Sequence, residues 1–469
     1  MKRTISWLFL PLAVLTLAAA PAAPAETTAV PDSSWARIGE IRSDTLYVSR
    51  NKVIALALEQ NEMLAASGAM RDAAGADAQG ALRAFLPQVQ LGSFFLRSDD
   101  ALNSFGYTLQ NRVVTQQDFD PRVLNNPGET NHFVSRLQLL QPIFNGGMGI
   151  NGKQAANAMS RAAEYDHERA RETIRYNTVQ AFEGLALAKA FEDVMVAAVA
   201  SAEGHVKQAR SMVDAEMATE ADLLQAKVYL SGLQQQLIEV RNMMAVAGEN
   251  IKLLTAVDID LPLAADINLE GRTDLFLPAE LDSLAGGERS DIMARREQAD
   301  AAGQMVGVAQ GTMLPHVNLS LQRDFYSQDN VFGDDARSWT LGVYATWDIF
   351  KGMENIGQIR KAKAQKRAAQ HMVQFETRQA RVQATEALLS AQAAQEKVVV
   401  ARGAVDAARE GLRIVTNQYR EGLASMVNLL DTQAAAIMAE GNLVQAVHDY
   451  QVGMANLEFS GAAPQGAEQ

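Results

Sequence analysis

Hydrophobic positions along this chain follow two rhythms. Trp339, Leu341, Val343, Ala345, Trp347 and Ile349 alternate with Thr340, Gly342, Tyr344, Thr346 and Asp348, and the run stops at Gly352. Period-two alternation predicts a strand with one apolar and one wet face, here over 339–350. Related runs predict strands near 87–96, 133–144 and 315–323. After the second and fourth strands come long Ala-, Gln-, Glu- and Arg-rich stretches free of proline. These predict helices over about 152–213 and 357–419, each on the order of 90 Å long at 1.5 Å per residue. Helices of that length point to coiled-coil packing. Val427, Leu430, Ala434 and Ile437 step by three, four and three, as a coiled-coil seam does. Pro87 and Pro315 end the helices that precede the strands. Together with Pro142, Gly146 and Gly352 they mark where strand and helix meet.

The chain also repeats itself. "LQPIFNGGM" at 140–148 resembles "TWDIFKGME" at 346–354, which places Phe144 on Phe350, 206 residues later. The same offset of 206 carries "MATEADLLQA" (217–226) onto "LASMVNLLDT" (423–432) and Asn250 onto Asn456. Upstream, "RAFLPQVQLGSFFL" (83–96) resembles "QGTMLPHVNLSLQR" (310–323), but Pro87 meets Pro315 at an offset of 228. The first copy therefore carries 22 extra residues between its strands (228 against 206), including Asn125, Asn126, Pro127 and Gly128, which read as a turn-rich loop. Each half reads helix, strand, loop, strand, long helix, tight turn, helix. The halves are expected over 26–257 and 258–460, with turns near 214–219 and 420–425 and a flexible tail over 461–469.

The N-terminus narrows the setting. Lys2 and Arg3, an apolar run from Ile5 to Leu17, and Ala23-Pro24-Ala25 read as a secretory signal peptide over 1–25. Losing its two basic residues takes the formal net charge from −13 to −15, so nucleic acid is not an expected partner. The chain has no cysteine, which excludes disulfides and thiolate metal sites. No later stretch is apolar and long enough to span a bilayer as a helix. A membrane crossing would have to use strands.

Four strands leave two open edges, and in a bilayer each unpaired backbone group costs several kcal/mol. Closure needs several chains, and three copies give about twelve strands, within the range of membrane barrels. On the second hairpin Val317, Leu319, Leu321, Trp339, Leu341, Val343 and Trp347 would face lipid. His316, Asn318, Ser320, Gln322, Thr340 and Asp348 would face a lumen.

The duplicated plan resembles the TolC-type outer-membrane efflux and secretion channels of Gram-negative bacteria. So do "NKVIALALEQNEMLAASGAM" (51–70), "RSDIMARREQAD" (289–300) and the two "LP" strand starts, and the likeness runs from about 51 to 459. It implies a mainly α chain assembled as a homotrimer: a 12-stranded β-barrel in the outer membrane continuing into an α-helical coiled-coil tunnel across the periplasm. Residues near 26–50 and 258–284 would form a belt around that tunnel. The implied partners are outer-membrane lipid, a periplasmic adaptor (membrane fusion) protein and an inner-membrane pump of RND or ABC type. Family tunnels close where the helix ends converge. The repeat places Asp222 opposite Asn428 and Gln225 opposite Asp431, the candidate aperture. Asn428 departs from the family's acids at both steps. Asp222 also suits the first turn of a helix, where a carboxylate offsets the dipole. Met217, Ala218, Thr219, Leu423, Ala424 and Ser425 form the two turns expected to meet the adaptor.

Other chemistry finds little support. "GMGINGK" (147–153) has P-loop glycine and lysine spacing, yet Gln154 stands where Ser or Thr should hold Mg²⁺. His132, His167, His205, His316, His371 and His448 show no ligand spacing. No nucleophile motif is present, so neither enzyme nor cofactor is expected. The leading function is the exit duct of a tripartite efflux pump for drugs, metals or organic solutes. The runner-up is the exit duct of a type I protein secretion system. A periplasmic coiled-coil scaffold is the third.

Overall fold

The computed structural model describes residues 37–267 and 289–461; the expected signal peptide, parts of the belt and all but the first residue of the tail lie outside them. Strands β1 (Gly39–Arg42) and β2 (Thr45–Val48) lead into helices α1 (Arg50–Gln60) and α2 (Glu62–Gly80). There follow β3 (Gln88–Ser98), α3 (Ala101–Gln110), α4 (Pro121–Asn125) and β4 (Thr130–Asn145). Helix α5 (Met148–Asp214) then turns into α6 (Glu220–Thr255). The second half brings β5 (Leu263–Ala265), α7 (Ser290–Gly311), β6 (His316–Ser327), β7 (Ala336–Thr346), α8 (Glu354–Arg420) and α9 (Met426–Phe459). Helices α5 and α8 have 67 residues each, about 100 Å.

Strands β3, β4, β6 and β7 form one antiparallel sheet in that order. Its transverse rows keep the two faces apart. Gln90, Gln138, Gln322 and Thr340 lie side by side, and the next row is Val89, Leu139, Leu321 and Leu341. In these middle rows one face is polar and the other apolar; towards the outer end the pattern mixes, with Ser93, Ser135 and Arg337 on the apolar side and Val134, Tyr326 and Ala336 on the polar side. On the polar face Arg136 Nε donates to Asp324 Oδ1 at 2.8 Å, tying β4 to β6. The last strand is shorter than the alternation predicts. It ends at Thr346, opposite His316, because β6 offers no backbone partner beyond that pair. Trp347, Asp348, Ile349 and Phe350 belong to the approach to α8, where Trp347 Nε1 donates to the Met313 carbonyl at 3.0 Å. The expected strand roles of Trp347 and Asp348 fall with this.

The 22 extra residues of the first hairpin are likewise more than a loop, since the 99–129 connection folds α3 and α4. Asp100 caps α3 by accepting from Asn103 N at 2.9 Å. Asp120 caps α4 by accepting from Arg122 N at 2.8 Å, with Pro121 at the first helical position.

The largest core lies where the small sheet β1-β2-β5 covers the long helices. Ile38, Leu46, Val48 and Leu263 pack there with Phe182 and Leu185 of α5 and Val444, Val447 and Tyr450 of α9. Strand β5 of the second half runs parallel to β2 of the first, so the described belt joins both halves. Beneath it Arg50 Nε stands 3.7 Å from Glu183 Oε1, an ion pair whose carboxylate is fully buried. Nearer the four-stranded sheet, α2, α5, α7 and α8 lie side by side in that order. Small residues let α5 and α7 approach closely: Ala155 and Ala158 meet Ala301, and a Cβ on Gly307 would come within 2.5 Å of Asn151.

The expected seam of α9 is displaced. Met426, Leu429, Leu430, Gln433 and Ala436 are buried, whereas Val427 and Ala434 are exposed. One buried position is polar, and its partner is on α5.

Candidate functional site

Three surfaces have the chemistry of a conduit: the two-faced sheet, its junction with the helices, and the helix turns at the far end.

The apolar face of the sheet carries aromatic side chains at both ends. Phe95, Phe133, Phe325 and Trp339 stand at the end away from the helices, and Phe144 stands at the helix end. The eleven steps from Phe133 to Phe144 cover about 36 Å of strand. A tilt near 40° reduces this to about 28 Å, close to the apolar height of about 25 Å in outer-membrane barrels. Aromatic girdles at such spacing suit the two interfaces of a bilayer. Among the described residues no helix is long and apolar enough to cross a membrane.

At the junction, Pro87 and Pro315 stand directly before β3 and β6. Pro142 lies inside β4, where the pairing with β6 shifts register between Pro142 and Phe144. Gly146 and Gly352 both take left-handed backbone, φ 64° and 57°, and are followed by left-handed Gly147 and Met353. A Cβ on Gly146 would lie 2.3 Å from the Gly311 carbonyl, so only glycine fits this corner. The "GMGINGK" run is occupied by its own chain. Asn145 Oδ1 accepts from Gly149 N at 3.1 Å, at the helix start where a P-loop would seat phosphate. Among the described residues no group of His, Asp and Glu could hold a metal ion.

The two turns share one backbone design. Glu216 and Gly422 are left-handed, and the next amide bonds five residues back: Met217 N to Met212 O and Leu423 N to Gln418 O, both 2.8 Å. This is a Schellman-type helix end. Thr219 and Ser425 then cap the following helices by accepting from Asp222 N and Asn428 N at 3.3 and 3.2 Å. Met217 and Leu423 are left 66% and 75% exposed beside Ala218 and Ala424.

Asp222 completes a capping box, its Oδ2 accepting from Thr219 N at 3.0 Å and from Thr219 Oγ1 at 2.7 Å. It therefore does what a first-turn carboxylate does for a helix. Gln225, Asn428 and Asp431 are exposed near the turns. The sequence reading missed two tyrosines. The hydroxyls of Tyr229 and Tyr419 are buried and have no hydrogen-bond partner among the described residues. Burial, then the nearby Asp431 charge, pushes the Tyr229 pKa up to about 12. Burial, then Asp222, raises that of Tyr419. Each acid thus lies within electrostatic reach of a buried phenol on another helix. The only hint in the sequence was an aromatic residue in an alanine-rich helix close to each turn.

Further up, His205 Nε2 donates to Gln433 Oε1 at 3.2 Å, and Ser201 Oγ donates to the same oxygen at 3.1 Å. This buried contact ties α5 to α9. Burial holds the His205 pKa below its ordinary value; the Gln433 bond opposes the shift and the Arg420 charge reinforces it. The unfolded chain takes up this proton near pH 6.5, the folded chain only at lower pH. Stability is therefore lost as pH falls below about 6.5 and through the depressed value. The drop in unfolding midpoint between about pH 7.5 and pH 5 should be smaller in His205→Gln than in the wild type. Equal drops would assign the acid sensitivity to other groups.

Comparison with known proteins follows the same lines. The sequence model described as outer membrane efflux protein matches residues 53–257 and 281–460. The outer membrane efflux protein BepC of Brucella suis biovar 1 (strain 1330) is 24% identical over 322 residues, 67% of this chain and 69% of BepC. The alkaline protease secretion protein AprF of Pseudomonas aeruginosa is 20% identical over 333 residues, 70% of this chain and 69% of AprF. The crystal structure of the channel CusC superposes with a TM-score of 0.76 at 17% identity, covering 91% of this chain and 95% of that one. The chain belongs to the outer membrane efflux protein family, and it is an outer-membrane efflux duct and not an enzyme.

Proposed function

We propose that three copies close into one passive duct: a twelve-stranded barrel continued by a helical tunnel, built from the repeats 26–257 and 258–460. The observation that carries this reading is a pair of open edges that continue from sheet to helices. Among the described residues, strands β3 and β7 are each unpaired on one side. Below them α2 and α8 are the outer helices of their layer. On α8, Phe375, Val382 and Leu389 are exposed at steps of seven, and on α2 Met63 and Met70 are exposed at the same step. Seven-residue apolar spacing is what a neighbouring helix needs. Closing both edges with further copies also removes the unpaired backbone groups that a bilayer penalises.

In this duct the turns at 215–219 and 421–425 meet a periplasmic adaptor fed by an RND- or ABC-type pump, and the apolar sheet face meets outer-membrane lipid. Small solutes are the first choice of cargo. Protein export is the second reading, favoured by the likeness to a protein named for protease secretion. Asp431, helped by Asp222, supplies the charge of the closed entrance, with Gln225 and Asn428 as its uncharged members.

Purified protein in mild detergent should weigh three copies, and in planar bilayers it should favour cations, as a narrow acidic ring does. Asp431→Asn should move the reversal potential towards zero, and adding Asp222→Asn should move it further. Thr219 remains the cap, and an asparagine amide oxygen at 222 can still accept from Thr219 N, so the second change removes charge and spares the fold. A monomer stable in lipid would defeat the barrel, and an unmoved reversal potential in the double variant would defeat the entrance.

A further inference from the structure

We propose that α3 is a second constriction of the duct, placed at its outer mouth. The proposal rests on the reading above, in which the polar face of the sheet is the lumen.

The first hairpin alone carries this helix. Residues 99–129 connect β3 to β4, whereas 328–335 suffice between β6 and β7. The helix does not hang outside the sheet. It is seated on the polar face at the end away from the tunnel. His132 of β4 shares that face with Val134, Arg136 and Gln138, two residues apart. It is 1% exposed and sandwiched between two rings. Tyr107 of α3 stacks on it at 4.4 Å between centroids and 8° between planes, and Tyr326 of β6 at 5.4 Å and 19°. Asn111, just past the helix, donates from Nδ2 to His132 Nδ1 at 3.2 Å. Ser104 Oγ donates to the Ser98 carbonyl at 3.0 Å, pinning the start of the helix to β3. Arg112 Nη2 reaches the Arg337 carbonyl at 3.1 Å, so the segment extends over the sheet as far as β7.

Burial on the same face agrees. Val134, Tyr326 and Ala336 form a buried cluster on the polar face near its outer end.

Phe105 packs edge-on against Phe119 on the flank of α3, and the side opposite the sheet is apolar and uncovered among the described residues. Ser104, Tyr107 and Asn111 turn to the sheet. Leu102 and Leu109, seven residues apart and on the opposite side of the helix, are 80% and 57% exposed. No charged residue lies between Ala101 and Asn111. Three sheets closed around an axis would aim these leucines across the mouth at the same helix of the other two copies. An uncharged apolar ring of that kind resists wetting and narrows the passage. The occupant of the leucine face is therefore α3 of the neighbouring protomers.

The absence of cysteine makes a direct test possible. A single Gln90→Cys lies in the polar row with Gln138, six residues along β4 from His132, about 20 Å below the helix. Intact cells are treated from outside with two membrane-impermeant maleimides, one small and one polymer-linked. With α3 unchanged, the small reagent should label Cys at 90 and the polymer should label it slowly. Leu102→Ser with Leu109→Ser should widen the gap and leave the latch in place. Tyr107→Ala with Asn111→Ala should release the latch itself. Either pair should raise polymer labelling roughly three- to tenfold, the open population gained when a stacked ring or an apolar contact is lost. Small-reagent labelling should stay constant, with trimer quantity measured alongside. Polymer labelling unchanged in both pairs, with small-reagent labelling intact, would overturn the constriction and leave the duct standing. A site that neither reagent reaches until the protein is denatured would show that the polar face is not the lumen, and the duct reading would fall first.

Discussion

Leu341→Arg should leave little trimer in the outer membrane, while Thr340→Arg, one residue away, should assemble normally. Leu341 belongs to the row Val89, Leu139, Leu321 and Leu341, and its side chain is exposed on the single chain. It lies between Trp339, at the outer girdle, and Val343. An arginine facing lipid near the bilayer midplane costs roughly 2–4 kcal/mol. The symmetry of the proposed trimer would exact that cost at three places, against folds that are stable by only about 5–15 kcal/mol. Thr340 belongs to the polar row with Gln90, Gln138 and Gln322, where an added guanidinium stays in water. The measurement is trimer recovered from washed outer membranes. Equal loss in both variants would mean that the faces are misassigned. Equal tolerance would mean that the sheet does not sit in lipid at all.

What the sequence made legible, and what it hid, divides along physical lines. Period-two alternation located the strands of the second hairpin, and the internal repeat carried that assignment to the first, whose own sequences alternate less cleanly. The breaks at Gly146 and Gly352 were legible because both need left-handed backbone. The end of β7 was not, since Trp347 and Ile349 continue the alternation and only the missing partner beyond His316 stops the strand. Helix α3 was hidden for a related reason. Its turn-rich neighbours at 125–128 dominated the reading, and its seat on His132 is a contact between residues 25 apart, Tyr107 to His132. The seam of α9 was misplaced because alanine fills so many positions that hydropathy gives little contrast. The buried Gln433 would never be chosen as core without knowledge of its His205 partner. The candidate entrance suffered most. Acids near the turns can be read from a sequence, but the two buried phenols beside them depend on how four helices pack.

Ala218→Arg and Ala424→Arg should each abolish export while trimers remain in the membrane. The geometry of the turns makes these changes informative. Neither alanine has left-handed backbone, since that conformation falls on Glu216 and Gly422. Neither supplies a cap, since Thr219 and Ser425 do so. A long side chain at 218 or 424 therefore spares the caps and the left-handed turn residues, and at 424 it has to turn outward from the Tyr419, Met426 and Leu429 cluster on which Ala424 packs. What it changes is the surface beside Met217 and Leu423, two apolar side chains that stand exposed at the tip of helices about 100 Å long, each followed by an alanine. Burying such a side chain against a partner contributes about 1.5–3 kcal/mol. An adjacent arginine would both block approach and bring an unpaired charge into the contact, a penalty of several kcal/mol once desolvated. In the proposed trimer three copies would present six such turns, so a loss at each would be repeated around the ring and binding should fail as a whole. Thr219→Ala provides the contrasting variant. It removes a cap worth about 1 kcal/mol and should weaken the turn locally without blocking the surface. Export and the amount of membrane trimer are measured together for all three variants. Full export in both arginine variants would move the adaptor contact off the turns, onto the sides of α6 or α9.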